Sequence, residues 1–216
     1  MKLLSVNVGL PREVKWDGRI VRTSIFKAPV SGRVRVRNLN LNGDQQSDLT
    51  VHGGVDKAVY VYPSEHYAFW RDELPSLELS WGAFGENFTT EGSLDDKTVR
   101  IGDRFRIGTT DFVVTQPRIP CFKLGIRFGR ADMVKRFMHS GRNGFYLAVA
   151  REGAVTAGDS ITLTGRNENG VTVAEIVELY TSDAAKQDLL QRVSDLAELP
   201  ENWRAYFRKR LWNPDA

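Results

Sequence analysis

Short apolar or alternating runs, separated by glycine and turn residues, recur throughout the first 165 residues of this 216-residue chain. The runs fall at Leu3–Val8, Ile20–Phe26, Arg33–Asn38, Ala58–Tyr62, Arg104–Ile107, Phe112–Gln116, Phe145–Val149 and Ser160–Leu163. Many short strands at close spacing favour a sandwich or a closed barrel over a parallel α/β sheet. We therefore predict a mainly β domain over residues 1–165, with a tight turn at Asn42-Gly43, where both residues tolerate positive φ.

Two helices are expected to interrupt the strands. Ser64 can cap a helix over Glu65–Leu74 that Pro75 ends, because proline cannot continue a helix. The second helix is predicted over Ala131–Met138, where apolar residues recur at helical spacing.

The pattern changes after a polar loop at residues 165–170. Thr172 followed by Glu175 forms a capping box for a first helix. Ser182 or Asp183 is expected to cap a second helix, and Pro200 stands where a third would begin. We predict a small three-helix domain over residues 171–213.

The charge balance narrows the class of ligand. The net charge is +3, but residues 166–216 hold seven basic and nine acidic residues, so residues 1–165 carry +5. A modest basic excess suits an anionic small molecule or a phosphate, whereas nucleic-acid binding usually needs clustered Lys and Arg. The sequence lacks an apolar run of membrane-spanning length, and its first residues are too polar for a signal peptide, so we expect a cytoplasmic protein.

Cys121 is the one cysteine of the chain, which excludes an internal disulfide and any all-cysteine zinc or iron–sulfur site. Pro117 and Pro120 should stiffen the loop that carries it. Nearby cations, among them Arg118 and Lys123, favour the thiolate, which is the form that attacks or ligates. A buried, inert cysteine is the alternative interpretation.

Two glycine-containing segments are further candidates for a ligand site. Gly53 and Gly54 would let the backbone approach a ligand and bring His52, Asp56 and Lys57 onto one turn. The segment Gly82–Thr90 could supply amide and hydroxyl donors to an anionic or heterocyclic ligand. Either segment could also be a plain structural turn.

The metal-binding residues favour a site that needs few protein ligands. Cys121 and the three histidines (His52, His66 and His139) are not spaced as a structural zinc site would be. A molybdenum site asks for one protein thiolate, because a pterin supplies two dithiolene sulfurs and oxo groups complete the shell. Basic residues and backbone donors would then hold the phosphate of the cofactor.

Taken together, these segments resemble the MOSC-domain family (molybdenum-cofactor sulfurase C-terminal domain), and most closely its YiiM-type bacterial members. The resemblance covers nearly the whole chain in the order of the family, and the last segment is similar to the three-helix domain that follows MOSC in that subgroup. It is carried by Asp48-Leu49, His52–Tyr60, Gly85–Thr89, Ile101–Asp103, Gln116–Leu124, Gly144–Tyr146 and Gly158-Asp159.

The resemblance implies a barrel-like MOSC fold that binds molybdenum cofactor, with Cys121 at the position of the metal-ligating cysteine. Catalytic relatives reduce N-hydroxylated compounds such as hydroxylaminopurines, amidoximes and hydroxylamines, and YiiM-type proteins are associated with resistance to 6-hydroxylaminopurine. His52 or Asp56 would deliver a proton or orient the substrate. The cofactor-binding residues would be Lys57, Arg118, Lys123 and Arg127 for phosphate and pterin, with Asn87 and Thr89 hydrogen-bonded to the pterin.

Electrons for such a reaction must come from a separate flavin, haem or iron–sulfur reductase, because the sequence lacks the motifs for binding those groups itself. The acidic C-terminal helices could dock that donor, or form a lid or a homodimer contact through Trp203 and Phe207. Two other functions remain open: a cofactor-binding or sulfur-carrier module without turnover, and a cysteine hydrolase using Cys121 with His52 or His139.

Overall fold

The structure is a computed structural model that describes residues 1–47, 53–168, 170–182 and 186–212. Its strands are β1 (Lys2–Val8), β2 (Arg12–Trp16), β3 (Arg19–Thr23), β4 (Ala28–Pro29), β5 (Val34–Val36), β6 (Val59–Pro63), β7 (Phe88–Glu91), β8 (Arg104–Ile107), β9 (Thr110–Pro117), β10 (Phe145–Arg151), β11 (Gly153–Val155) and β12 (Ile161–Gly165). Its helices are α1 (Glu65–Glu73), α2 (Phe122–Phe128), α3 (Met133–Ser140), α4 (Val173–Thr181), α5 (Gln187–Asp195) and α6 (Glu201–Trp212), with a 3₁₀ turn at Val55–Lys57.

Eight strands form one sheet in the order β12-β8-β9-β10-β6-β7-β1-β4, in which only the β6–β7 pair is parallel. The sheet curls until its two ends meet at an isolated bridge between Lys2 and Ser160. There the amide of Leu3 donates to the carbonyl of Asp159 at 2.9 Å. The mainly β fold is confirmed, but this seam has an isolated bridge where a closed barrel would have a ladder of paired strands.

Strand alternation explains how the sheet forms its core. In β8, Phe105 and Ile107 are buried while Arg104 and Arg106 are exposed, which is the period-two pattern of a strand with one face covered. The main apolar cluster continues from the sheet into all three C-terminal helices, through residues such as Ile176, Leu190 and Phe207. The helices therefore share a core with the sheet, and the boundary between residues 165 and 171 stays a prediction.

The predicted helix caps have different outcomes. The capping box before α4 is confirmed, since the amide of Glu175 donates to Thr172 Oγ1 at 3.2 Å and the amide of Thr172 donates to the Glu175 carboxylate at 2.8 Å. The cap on α1 is wrong: Ser64 has a helical backbone and its side chain makes no capping hydrogen bond. Ser182 ends α4 instead of starting α5, which begins at Gln187, and Asp183 lies outside the described residues.

A second apolar cluster supports the other side of the sheet. It is rich in aromatic residues and joins β6 to α1 and α3, with the ring of Phe84 in contact with those of Tyr62, Trp70 and Phe137. Among the helices that the structure describes, none is long and apolar enough to cross a membrane.

Candidate functional site

Cys121 lies where strand β9 gives way to helix α2. It has an extended backbone (φ −120°, ψ 174°), occupies the position just before the helix and is partly buried. The loop that carries it is tied to the residue before β10, because the amide of Arg118 donates to the carbonyl of Gly144 at 3.1 Å. Because Cys121 is only partly buried, the alternative of a thiol fully buried in the core does not hold, and the reactivity of this thiol stays a prediction.

Two clefts meet at Cys121. The first, which we call the cationic cleft, has a volume of about 100 Å³ and is lined by Lys27, Lys57, Arg118 and Lys123 together with Asp44, Tyr60, Asn87, Cys121 and Tyr146. The second, the aromatic cleft, has a volume of about 560 Å³ and is lined by Tyr146, Tyr180, Trp203 and Tyr206 together with Lys57, Pro117 and Cys121. Lys57, Cys121 and Tyr146 line both, so the thiol stands between a polar cavity and an aromatic one.

Arg118 is the buried cation of the cationic cleft. Its guanidinium lies 5.3 Å from the ring centroid of Tyr60 and 5.2 Å from that of Phe137. Burial opposes its charged form, but charge interactions with Tyr60, Tyr146 and Cys121 outweigh this and raise the pKa of Arg118. Its Nη1 is buried and has no hydrogen-bond partner among the described residues. A buried donor left in this state costs free energy until a ligand satisfies it.

Asp44 is the carboxylate of this cleft, and protein groups already occupy it. It accepts hydrogen bonds from Lys27 Nζ, from the amide of Gly9 at 2.9 Å and from Asn87 Nδ2 at 2.9 Å. Burial lowers the pKa of Lys27, although Asp44 opposes that shift. The side-chain carbonyl of Asn87 accepts from the amide of Tyr60 at 3.1 Å, so Asn87 reaches the cleft with its amide group already engaged.

The segment Gly82–Thr90 turns its donors inwards. The amides of Gly82 and Phe84 donate to the buried carboxylate of Glu86, at 2.8 and 3.1 Å. Thr89 Oγ1 also donates to Glu86, at 2.9 Å, and accepts from Asn7 Nδ2 at 3.1 Å. Gly82, Phe84 and Thr89 therefore use these groups within the protein, and the fully buried Thr89 does not line either cleft. Gly85 and Asn87 of the same segment do line the cationic cleft, so the expectation that this segment contacts a ligand stays a prediction.

Lys57 is held at the junction by a fixed turn. The carbonyl of Asp56 accepts from Thr115 Oγ1 at 2.7 Å and from Gln116 Nε2 at 3.3 Å, which ties the 3₁₀ turn to β9. Burial lowers the pKa of Lys57, and the neighbouring Asp56 carboxylate opposes the shift. Asp56 itself does not line the described part of either cleft, and His52 lies outside the described residues.

Of the remaining predicted residues, Lys123 lines the cationic cleft, whereas Arg127 and His139 line neither cleft. Lys123 lines the cationic cleft and donates to Ser47 Oγ at 3.1 Å. Arg127 lies elsewhere, with its guanidinium 5.5 Å from the ring centroid of Phe26, and burial lowers its pKa. His139 is on α3, where Nδ1 lies 2.8 Å from the carbonyl oxygen of Lys135, and it lines neither cleft.

Several residues of the site were not predictable as site residues from the sequence. Tyr60 and Tyr146 belong to segments already singled out from the sequence, and their positions next to buried strand residues were the available signal. Lys27 and Asp44 carried no local signal, because their pairing joins residues 17 positions apart. In the part of the chain that the structure describes, His, Cys, Asp and Glu do not form a group of three that could hold a metal ion, which leaves Cys121 as the single thiolate candidate.

Two known domain families match this chain. Residues 48–162 match the MOSC domain, and residues 171–212 match the YiiM-like, 3-alpha helix domain. The chain belongs to the MOSC-domain family. MOSC domains are associated with molybdenum-cofactor binding, and the segment matched includes Cys121 and the cations of its loop.

Three relatives show how far this MOSC-domain protein resembles known chains. It is 42% identical over 208 residues to the uncharacterized protein YflK of Bacillus subtilis, covering 96% of this chain and 93% of that one. It is 35% identical over 197 residues to a protein of Gibberella moniliformis named reductase, covering 90% of this chain and 35% of the fungal one. The crystal structure of YiiM from Geobacillus stearothermophilus superposes with a TM-score of 0.80 at 32% identity, covering 97% and 98% of the two chains.

The residues of the cationic cleft fit the cofactor that MOSC domains bind. One partly buried thiol stands beside four basic side chains and one already paired carboxylate among the described lining residues. Two buried polar atoms of residues that line this cleft, Arg118 Nη1 and Ser24 Oγ, have no described hydrogen-bond partner. A thiolate ligand and unsatisfied donors are what a metal with an anionic, polar organic ligand requires.

Proposed function

We propose that this protein is a molybdenum-cofactor-dependent reductase of N-hydroxylated compounds, among them hydroxylaminopurines, amidoximes and hydroxylamines. The observation that carries the proposal is the position of Cys121 between a cationic cleft suited to the cofactor and an aromatic cleft open to a second molecule. Membership of the MOSC family and the relative named reductase support an oxidoreductase.

The overall reaction would convert R–NH–OH, two electrons and two protons into R–NH₂ and water. When bound, the cofactor supplies the two-electron chemistry that breaks the N–O bond. A separate flavin, haem or iron–sulfur reductase would supply the electrons.

The residues of this chain would bind the cofactor and manage protons. Cys121 Sγ would be the protein ligand of the metal, and Arg118, Lys123 and Lys57 would hold the phosphate and the pterin. Asn87 would shape the floor of the cleft, while Thr89 would act indirectly by holding Asn7 and Glu86.

Lys57 Nζ holds a proton at the junction of the two clefts. Because burial lowers its pKa, this ammonium gives up a proton more readily than an exposed lysine would. Tyr146 also lines both clefts, and burial raises its pKa, with Arg118 opposing the shift and Cys121 adding to it. The phenol therefore keeps its proton at neutral pH and can donate a hydrogen bond towards either cleft.

The test is metal content combined with a reduction assay. Protein made in cells that synthesise the cofactor should contain about one molybdenum per chain by elemental analysis, and should reduce benzamidoxime with dithionite-reduced viologen. Cys121→Ser should lose both, since a hydroxyl is a poor replacement for a thiolate ligand. His139→Ala, which alters a histidine outside both clefts, should keep both.

Other outcomes identify the alternatives. Stoichiometric molybdenum without reduction of any N-hydroxylated compound would show a cofactor carrier and contradict the proposed reductase. Hydrolysis of acyl or ester substrates that survives metal removal, and that Cys121→Ser abolishes, would show a cysteine hydrolase instead.

A further inference from the structure

The aromatic cleft is built jointly by the sheet and the C-terminal helices. The end of β9 and its following loop supply one side, through Gln116, Pro117 and Cys121, and α4 and α6 supply the other. Its volume of about 560 Å³ lies within the range of small-molecule sites. The three-helix domain therefore contributes directly to a cavity that reaches Cys121.

Three aromatic side chains form the wall on the helical side. The ring centroid of Tyr180 lies 5.3 Å from that of Trp203 and 5.6 Å from that of Tyr206. Tyr180 and Tyr206 are each 40% exposed, whereas Trp203 is 8% exposed. Tyr180 and Tyr206 thus expose ring surface, while the buried Trp203 packs against Tyr180.

Trp203 is fixed to the sheet by a specific hydrogen bond. Its Nε1 donates to Gln116 Oε1 at 2.8 Å, and Gln116 Nε2 donates in turn to the carbonyl of Asp56 at 3.3 Å. Asp56 immediately precedes Lys57, which lines both clefts. These two hydrogen bonds therefore fix the position of Trp203 relative to Lys57, which lines both clefts together with Cys121.

The charge distribution separates the roles of the two clefts. Lys27, Arg118 and Lys123 line only the cationic cleft, and Lys57 is the one basic side chain among the described residues that also reaches the aromatic cleft. An anionic, phosphate-bearing molecule is favoured in the first cleft, and an uncharged planar ring is favoured in the second.

We infer that the aromatic cleft is the substrate site, and that Tyr206 and Tyr180 select substrates whose N–OH group is carried by a planar aromatic or heteroaromatic ring. The inference rests on the proposed function, because it names the substrate class of the same site. Stacking on these rings would place the N–OH group towards Cys121, while Lys57 and Asn202 supply polar contacts at the edge.

Binding to the cofactor-free protein tests the site without any turnover. Isothermal titration of adenine, a planar heteroaromatic amine, should show binding to the wild-type protein. Tyr206→Ala should weaken it by about 5- to 150-fold, the range expected for loss of one stacked ring. Tyr206→Phe should restore binding because it keeps the ring. Trp212→Ala removes an exposed aromatic residue of the same helix that does not line the cleft, and should bind adenine as the wild type does.

A substrate comparison provides the second measurement. In the molybdenum-loaded protein, Tyr206→Ala should lower kcat/KM for benzamidoxime by a similar factor and leave that for acetamidoxime nearly unchanged, with molybdenum content preserved. Tyr180→Ala is the second variant, and unfolding curves should show that both variants are folded.

The outcomes separate this inference from the proposed function. If the wild type reduces neither amidoxime but binds adenine in a Tyr206-dependent way, the reductase fails and the aromatic site stands. If both amidoximes are reduced and Tyr206→Ala affects them equally, the reductase stands and the selection is wrong. Adenine binding that is absent or unchanged in Tyr206→Ala, or loss of molybdenum from that variant, would also overturn the inference.

Discussion

The hydrogen bond between Trp203 and Gln116 offers a direct test of how the C-terminal helices are held on the sheet. Both residues are buried, and the 2.8 Å bond joins α6 to β9 across 87 positions of sequence. Trp203→Phe would leave Gln116 Oε1 buried without its donor, which costs about 1–3 kcal/mol. For a protein of this length, each kcal/mol lowers the melting temperature by about 2–4 °C, so we expect a fall of roughly 2–12 °C.

A double-mutant cycle isolates the bond from the change in packing. Gln116→Leu alone would leave the indole N–H unsatisfied at a similar cost, whereas Trp203→Phe with Gln116→Leu replaces both partners by apolar groups. The double variant should therefore be more stable than the sum of the single losses predicts, by about 1–3 kcal/mol, in urea unfolding followed by circular dichroism. Additive losses would show that the two side chains do not interact and refute this account of the interface.

Two further predictions concern residues that support the site. Gly144→Ala should destabilise the fold by more than about 1 kcal/mol, because φ is +64° and the new Cβ would lie 2.3 Å from the carbonyl oxygen of Val61. In the matched control Gly158→Ala, φ is also positive but nothing lies within 4 Å, so an equal loss would contradict the steric explanation. Burial raises the pKa of Glu86 above 4.5, so the folded protein binds this proton more tightly than the unfolded chain and loses stability as pH rises from 4.5 through the folded pKa. Glu86→Gln has no titrating group at this position, so its stability should not show this loss. The difference in unfolding free energy between the wild type and the variant, measured by urea unfolding at several pH values, should therefore decrease as the pH rises. A difference that does not change with pH would show that the pKa of Glu86 is not shifted.

Elements with a strong local signal were predictable from sequence. Strand β8 has the predicted bounds, because Arg104–Ile107 alternates and is flanked by turns at Gly102 and Gly108. The capping box at Thr172 marks the start of α4 within the sequence itself. In both cases the information lies within a few neighbouring residues.

Other elements were missed because they depend on individual contacts that a helix or strand pattern does not reveal. Helix α2 has only seven residues and contains Gly125, where a Cβ would lie 2.9 Å from the carbonyl oxygen of Arg130, so close packing selects that glycine against local helix propensity. The strand predicted to continue to Phe26 stops at Thr23, whose Oγ1 accepts from the amide of Ile25 at 3.2 Å and turns the chain towards the cationic cleft.

The site was predictable where one segment carries it and unpredictable where several segments meet. The Cys121 loop was recognisable because its prolines and cations are adjacent in sequence. The aromatic cleft was not, because Tyr180, Trp203 and Tyr206 approach Cys121 only after the C-terminal helices dock on β9. Trp203 and Phe207, the residues that the sequence offers for a lid or a homodimer contact, are buried within this chain. Docking of an electron donor and formation of a homodimer stay predictions.

The polar interior of the cationic cleft is itself an argument for a ligand. Buried polar groups in native proteins nearly always find partners, as Asp44 and Glu86 do here. Seven buried side-chain atoms of the described residues have no partner, and two of them, Arg118 Nη1 and Ser24 Oγ, belong to residues that line the cationic cleft together with Cys121. Leaving such groups unsatisfied lowers the stability of the folded protein. We therefore expect an anionic, hydrogen-bond-accepting molecule that binds in the cationic cleft, next to Cys121, to stabilise the folded protein.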